Sequence, residues 1–118
     1  MSHVYVTQDV MVRNDKGELQ RKFDYAPASQ YGEIRILVPY GQSLSHSVPV
    51  IRQLLIQLRD FTEHDYLLPL GDPAVMAACS AIASQYCKGR LNVLKWDRRE
   101  QSYHVVKFDL GGKLRESD

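Results

Sequence analysis

Apolar residues recur along the chain with two rhythms, a period of two and a period of three to four, and their succession predicts the elements. Val4, Val6, Val10 and Val12 lead into Arg13-Asn14-Asp15-Lys16-Gly17-Glu18, after which Leu19 to Tyr25 runs back. This predicts a first hairpin turning at Asp15-Lys16-Gly17, with Gly17 supplying a positive φ. The alternation breaks around Asp9 and Met11, which leaves the register of the first arm open. Residues 24–32 read as a connection over the surface, in which Pro27 holds Ala26 extended.

From Glu33 to Pro39 the bulky run Ile34, Ile36, Leu37, Val38 predicts a strand covered on both faces. Ser47 and Pro49 suit a helix start, and Ile51, Leu54, Leu55, Leu58 and Phe61 then mark one helical face. The same order repeats: a strand at Tyr66–Leu70, the turn Gly71-Asp72-Pro73, and a helix from Ala74 to Tyr86 whose stripe is Val75, Met76, Cys79, Ile82, Ala83 and Tyr86. Lys88-Gly89 is a natural stop for that helix. Pro69 is a discordant note, because a central strand needs every backbone N–H for its ladder. Arg90–Trp96 and Ser102–Phe108 alternate reciprocally around residues 97–101, which predicts a final hairpin. The expected fold is α/β: a small mixed β-sheet with a central βαβαβ segment, two helices, and N- and C-terminal β-hairpins that add antiparallel edges. Residues 1–110 are expected to form a single α/β domain and 111–118, beginning at Gly111-Gly112, a flexible C-terminal tail.

Composition narrows the class without naming a task. The 118 residues are 44% apolar and 25% charged, enough for a core without metal or disulfides. Fifteen basic against fourteen acidic residues leave a formal charge of +1, so no global field recruits nucleic acid or an anionic bilayer. Cys79 and Cys87, the two cysteines, fall eight residues apart on one expected helix, a rise of about 12 Å. That exceeds the reach of a disulfide and suits packing in a reducing compartment. The chain start does not read as an export signal, and no apolar run approaches the ~20 residues of a membrane span. The expected location is cytoplasmic.

Candidate chemistry gathers where the parallel strands end. If strands 34–39, 66–70 and 91–96 are neighbours, Gln42 and Ser43, Gly71 and Asp72, and Trp96, Asp97 and Arg98 approach one edge, where open α/β sheets bind ligands. Gly71-Asp72-Pro73 has two readings, a helix cap or part of an anion site, and a capping carboxylate competes with phosphate for the same N–H groups. No Gly-x-Gly-x-x-Gly or P-loop motif is present. Trp96 beside Arg98 and Arg99 suits stacking and anion pairing, or a core-facing tryptophan entering a charged turn. The histidines at positions 3, 46, 64 and 104 lack zinc-site spacing; His46 beside Ser45 and Ser47, and His64 beside Asp65, suggest pairs without supplying a nucleophile motif. No catalytic residue, metal site or cofactor is expected.

Tyr31-Gly32-Glu33, Asp65-Tyr66-Leu67-Leu68-Pro69-Leu70-Gly71-Asp72-Pro73, the alanine-rich helix, and Leu94-Lys95-Trp96-Asp97-Arg98 together resemble a family of small uncharacterised proteins of tailed phages. The likeness spans Val4-Tyr5-Val6 to Asp109-Leu110. It implies a viral protein in the host cytoplasm and transfers no residue roles. Three functions remain open. The first is a non-enzymatic protein-protein interaction module, homodimeric and directed at a host or viral protein, using hairpin edges and the small-residue face of the 74–86 helix. The second is a nucleotide- or phosphate-ligand protein using Gln42, Ser43, Gly71, Asp72, Trp96, Asp97 and Arg98. The third is weak nucleic-acid binding through Arg90, Trp96, Arg98 and Arg99, which the neutral net charge disfavours.

Overall fold

The structure is a computed structural model that describes residues 2–42 and 47–111. Among the described residues seven strands and two α-helices follow in order: β1 (His3–Gln8), β2 (Met11–Arg13), β3 (Leu19–Arg21), a 3-10 helix (Ala26–Tyr31), β4 (Glu33–Val38), α1 (Ser47–Gln57), β5 (Tyr66–Leu68), α2 (Pro73–Tyr86), β6 (Arg90–Asp97) and β7 (Ser102–Asp109). The main sheet has the order β4-β1-β5-β6-β7; its first four strands are parallel and β7 is antiparallel to β6. The mixed α/β fold, with two helices, strand-helix alternation through β4-α1-β5-α2-β6, and a hairpin at each end, is as the sequence pattern predicts.

The N-terminal arrangement differs from expectation. Residues 4–12 do not form one arm of a hairpin: the chain breaks at Asp9, and β1 becomes an interior strand between β4 and β5. Strands 34–39 and 66–70 are therefore not neighbours. Val4 to Gln8 is a run of five buried residues, and a two-stranded hairpin cannot cover both faces of such a run. The hairpin is formed by β2 and β3 as a separate two-stranded sheet, so it adds no edge to the main one. Its turn is as expected, with Gly17 at φ 78° and Gly17 N donating to Asn14 O at 2.9 Å. Asp9 marks the break because its carboxylate is bound by the Tyr25 hydroxyl, beyond the hairpin, at 2.6 Å and by Arg21 Nε, at the end of β3, at 3.3 Å. Burial and the bond to Asp9 push the Tyr25 phenol well above its ordinary range.

Each face of the sheet has its own core. On one side α1 and α2 bury Val50, Leu54, Leu58, Val75, Cys79 and Ile82 against Tyr5, Leu67 and Leu91. On the other, Tyr25 and Ala28 close over Val4, Val6, Leu68, Leu94 and Tyr103. Residues 24–32 are thus not a plain surface connection but a short helix serving as the second lid, with Pro27 in its first turn. The helical stripes shift by a residue at their margins: Leu55 and Tyr86 are exposed, and Met76 is half-buried. Both cysteines are buried free thiols, Cys87 at the end of α2. The Ser47 side chain, and with it the expected cap, Ser45, His46 and the tail from 112 onward lie outside what the structure describes.

Candidate functional site

The parallel strands deliver Gln42, Gly71 and Asp72 to one place, and the group that joins them is Gln8. Its side chain is 6% exposed. Its Nε2 donates to Gln42 O at 2.7 Å and Pro39 O at 3.3 Å, while its Oε1 accepts from Asp72 N at 2.9 Å. Next to it, Thr7 Oγ1 accepts from Leu70 N at 2.7 Å and donates to Leu70 O at 2.5 Å. Gly71 is obligatory here: its φ is 90°, and a Cβ would stand 2.6 Å from Gln8 Cβ. The Asp72 carboxylate accepts Ala74 N at 2.8 Å and caps α2. Every polar group that β1 sends to this edge is therefore occupied in tying loops together. Thr7 and Gln8 carry no sequence signal beyond lying in an otherwise apolar strand. Ser43 lies outside the described residues.

Trp96 and Arg98 belong to a different place, a cavity of about 980 Å³. Its cause is a mismatch of strand lengths. β5 stops at Leu68, immediately before Pro69, while β6 continues to Asp97. The pairing of the two ends at Leu67↔Val93. Beyond that point the sheet is notched, with Leu68, Pro69 and Leu70 on one side and Leu94 and Trp96 on the other. Phe23 and Tyr103 line one face of the notch, Val106 and Phe108 the other. Trp96 is 39% exposed and meets Tyr103 edge-on, ring centroids 4.9 Å apart. Lys22, Lys95 and Arg98 stand in the lining against one carboxylate, Asp24, which caps Ala26 N at 2.9 Å.

Asp97 does not line this cavity. Its carboxylate accepts Arg99 N at 2.8 Å and Glu100 N at 3.2 Å and pairs with His104 Nε2 at 2.5 Å, closing the hairpin turn. The bond to His104, followed by those from the backbone, holds its carboxyl below the ordinary range. Arg90 begins β6 and pairs with Glu63 at 3.2 Å. Six residues of strand put it about 20 Å from Trp96, so Arg90 is not brought into one cluster with Trp96, Arg98 and Arg99. His64 does not pair with Asp65; the buried Asp65 carboxylate accepts His3 N at 2.9 Å and Thr62 N at 2.8 Å at the opposite end of the sheet.

Among the described residues no group of three or more His, Cys, Asp or Glu is placed to hold a metal ion, and no helix is long and apolar enough to cross a membrane. No curated protein and no solved structure matches the chain significantly. A family model does match, over residues 2–110, under the description Phage Pam3 gp32-like protein. The match covers both cores, the Gln8 clamp and the notched hairpin, and the chain belongs to the Phage Pam3 gp32-like protein family.

Proposed function

We propose that this phage protein is a non-enzymatic interaction module that forms a homodimer and acts on a host or viral protein in the host cytoplasm. The observation that carries the dimer is the outer edge of β7. Leu110 N donates to Gly89 O at 2.9 Å, and the β6-β7 register is unbroken from Arg90↔Asp109 to Asp97↔Ser102. Ladder bonds alternate along an antiparallel pair, so Val105, Lys107 and Asp109 direct their N–H and C=O groups away from β6. The equivalent carbonyl of Tyr103 is taken by the Tyr31 hydroxyl at 3.1 Å. An unpaired edge of this kind is a template for another strand. A two-fold axis at Val106 sets Val105 against the partner's Lys107 and opposes no like charges.

Light scattering coupled to size exclusion tests the dimer, with Lys107→Pro as the control. Lys107 is exposed and its N–H faces outward, so proline there removes an edge donor without removing a bond to β6. A dimer that Lys107→Pro converts to monomer supports the reading. A monomer at every concentration refutes it, as does a dimer that the variant leaves intact. The nucleotide reading loses support from the geometry: Gln8 separates Gly71 and Asp72 into a loop clamp, while Trp96 and Arg98 line the notch.

A further inference from the structure

We propose that the notch between β5 and β6 is a strand-addition site for an extended acidic segment of a partner protein, one that carries apolar side chains on both faces. The inference rests on the interaction-module reading but uses the opposite edge of the hairpin from the dimer contact. The backbone makes the first argument. Residues 91, 93, 95 and 97 of β6 face β7, by the alternation that the Leu110 N to Gly89 O bond sets, so Asn92, Leu94 and Trp96 direct their N–H and C=O groups toward β5. The Leu67↔Val93 pairing in a parallel ladder gives the Leu94 N–H a partner on β5. The next bond would come from residue 69, and proline has no N–H to give. The Leu94 carbonyl and both backbone groups of Trp96 are left without a strand partner among the described residues. Trp96, 39% exposed, stands at the cavity, whereas Leu94 is buried.

The side chains make the second argument and select the occupant. A strand laid along this edge alternates its side chains between the two faces, and the notch is apolar on both: Phe23 and Tyr103 on one, Val106 and Phe108 on the other. A strand with one polar face, the usual edge strand, leaves half of this lining unmet. Lys95 and Arg98 have no ion pair among the described residues, and with Lys22 they outnumber the single carboxylate of Asp24 in the lining. The charge favours a segment with acidic ends. Main-chain bonds to β6 give such a segment affinity, and the two apolar faces give it selectivity.

Trp96 is the single tryptophan of the chain and lines the notch, so its fluorescence reports occupancy directly. The probes are the capped hexapeptide Glu-Val-Leu-Val-Phe-Asp, the same peptide with lysine at both ends, and the acidic peptide methylated on its two central amide nitrogens. The acidic peptide is expected to shift Trp96 emission saturably, and the lysine and methylated peptides to bind at least about tenfold more weakly. In Lys95→Glu/Arg98→Glu, two exposed positions, the order of the acidic and lysine peptides reverses. Lys107→Pro, which addresses the dimer, leaves the titration unchanged. No saturable shift with the acidic peptide overturns the proposal, as does equal binding of the methylated peptide, which shows a side-chain pocket only. Saturation of the Trp96 signal by ATP, with the acidic peptide inert, overturns it in favour of a small anion.

Discussion

Gln8→Ala removes the side chain that joins the loops after β4 and β5 at the carboxyl edge of the sheet. Two bonds run from its Nε2, at 2.7 Å to Gln42 O and 3.3 Å to Pro39 O, and one runs to its Oε1 from Asp72 N at 2.9 Å. A hydrogen bond contributes about 0.5–1.5 kcal/mol net, and the 3.3 Å bond belongs at the bottom of that range. The expected loss is about 1.5–3.5 kcal/mol, against a total stability of roughly 5–15 kcal/mol for a domain. Water admitted to the truncated site re-pairs part of the freed backbone, which favours the lower half of the range. Gln8→Glu separates donor from acceptor. Its carboxylate keeps the acceptor for Asp72 N but sets a negative oxygen against two carbonyls, so the folded protein favours the protonated acid. A carboxyl whose pKa is raised by folding stabilises fully below its unfolded value, about 4.3, and that contribution is lost as pH rises through the folded value. Urea denaturation followed by Trp96 emission, at neutral pH and near pH 4, reads both effects. A Gln8→Ala loss below about 0.5 kcal/mol, or a Gln8→Glu protein as weak in acid as at neutrality, refutes the clamp.

Asp72→Ala is expected to cost about 0.5–2 kcal/mol in denaturant and Asp72→Asn much less, because the amide oxygen still accepts the Ala74 N–H; equal losses count against a cap. Burial pushes the Cys79 thiol up to about 12 from 9.0, so the native protein resists Ellman's reagent at pH 8 while the urea-unfolded chain reacts at both cysteines. The raised value also gives stability that is present below pH 9 and lost as pH rises toward 12, a slope that Cys79→Ala flattens in alkaline denaturation curves. The Asp97 carboxyl, held low first by His104, is expected to titrate closer to its ordinary value in His104→Ala by NMR. A lowered carboxyl stabilises above its unfolded value and loses that contribution as pH falls through the folded one, so the effect of His104→Ala on stability vanishes in strong acid.

The helices were legible because their apolar spacing and their stops agree: Pro73 and Asp72 at one end of α2 and Lys88-Gly89 at the other leave little freedom. The final hairpin was legible because its two arms alternate reciprocally. The role of β1 was not. Val4 and Val6 alternate as a half-buried strand does, and the alternation hides that Tyr5, Thr7 and Gln8 are buried as well. A threonine and a glutamine go inside only when tertiary partners satisfy them, and those partners lie roughly thirty to sixty residues away. The lid at Ala26–Tyr31 was missed for a related reason. A single turn of 3-10 helix has no period to detect, and its burial depends on a sheet assembled from strands that come later.

Pro69 shows how a local misfit in the sequence becomes a feature of the site. As a strand residue it is a fault, since it ends the β5-β6 ladder after two paired positions. The loss is compensated on the other side, where the Thr7 hydroxyl takes both the N–H and the C=O of Leu70 and keeps the segment beside β1. Residues 69–70 therefore hold their line while β6 runs on without them, and the hairpin formed by β6 and β7 has free backbone on both of its edges. A hairpin in that state needs another source of order. The Trp96-Tyr103 contact supplies it across the hairpin, and the Tyr31 hydroxyl on Tyr103 O supplies it from the lid. Restoring the N–H with Pro69→Val is the corresponding test: if Pro69 alone opens the notch, amide exchange at Trp96 slows and the acidic peptide no longer shifts its emission. Unchanged exchange and unchanged peptide binding would show that the notch is held open by the lid instead.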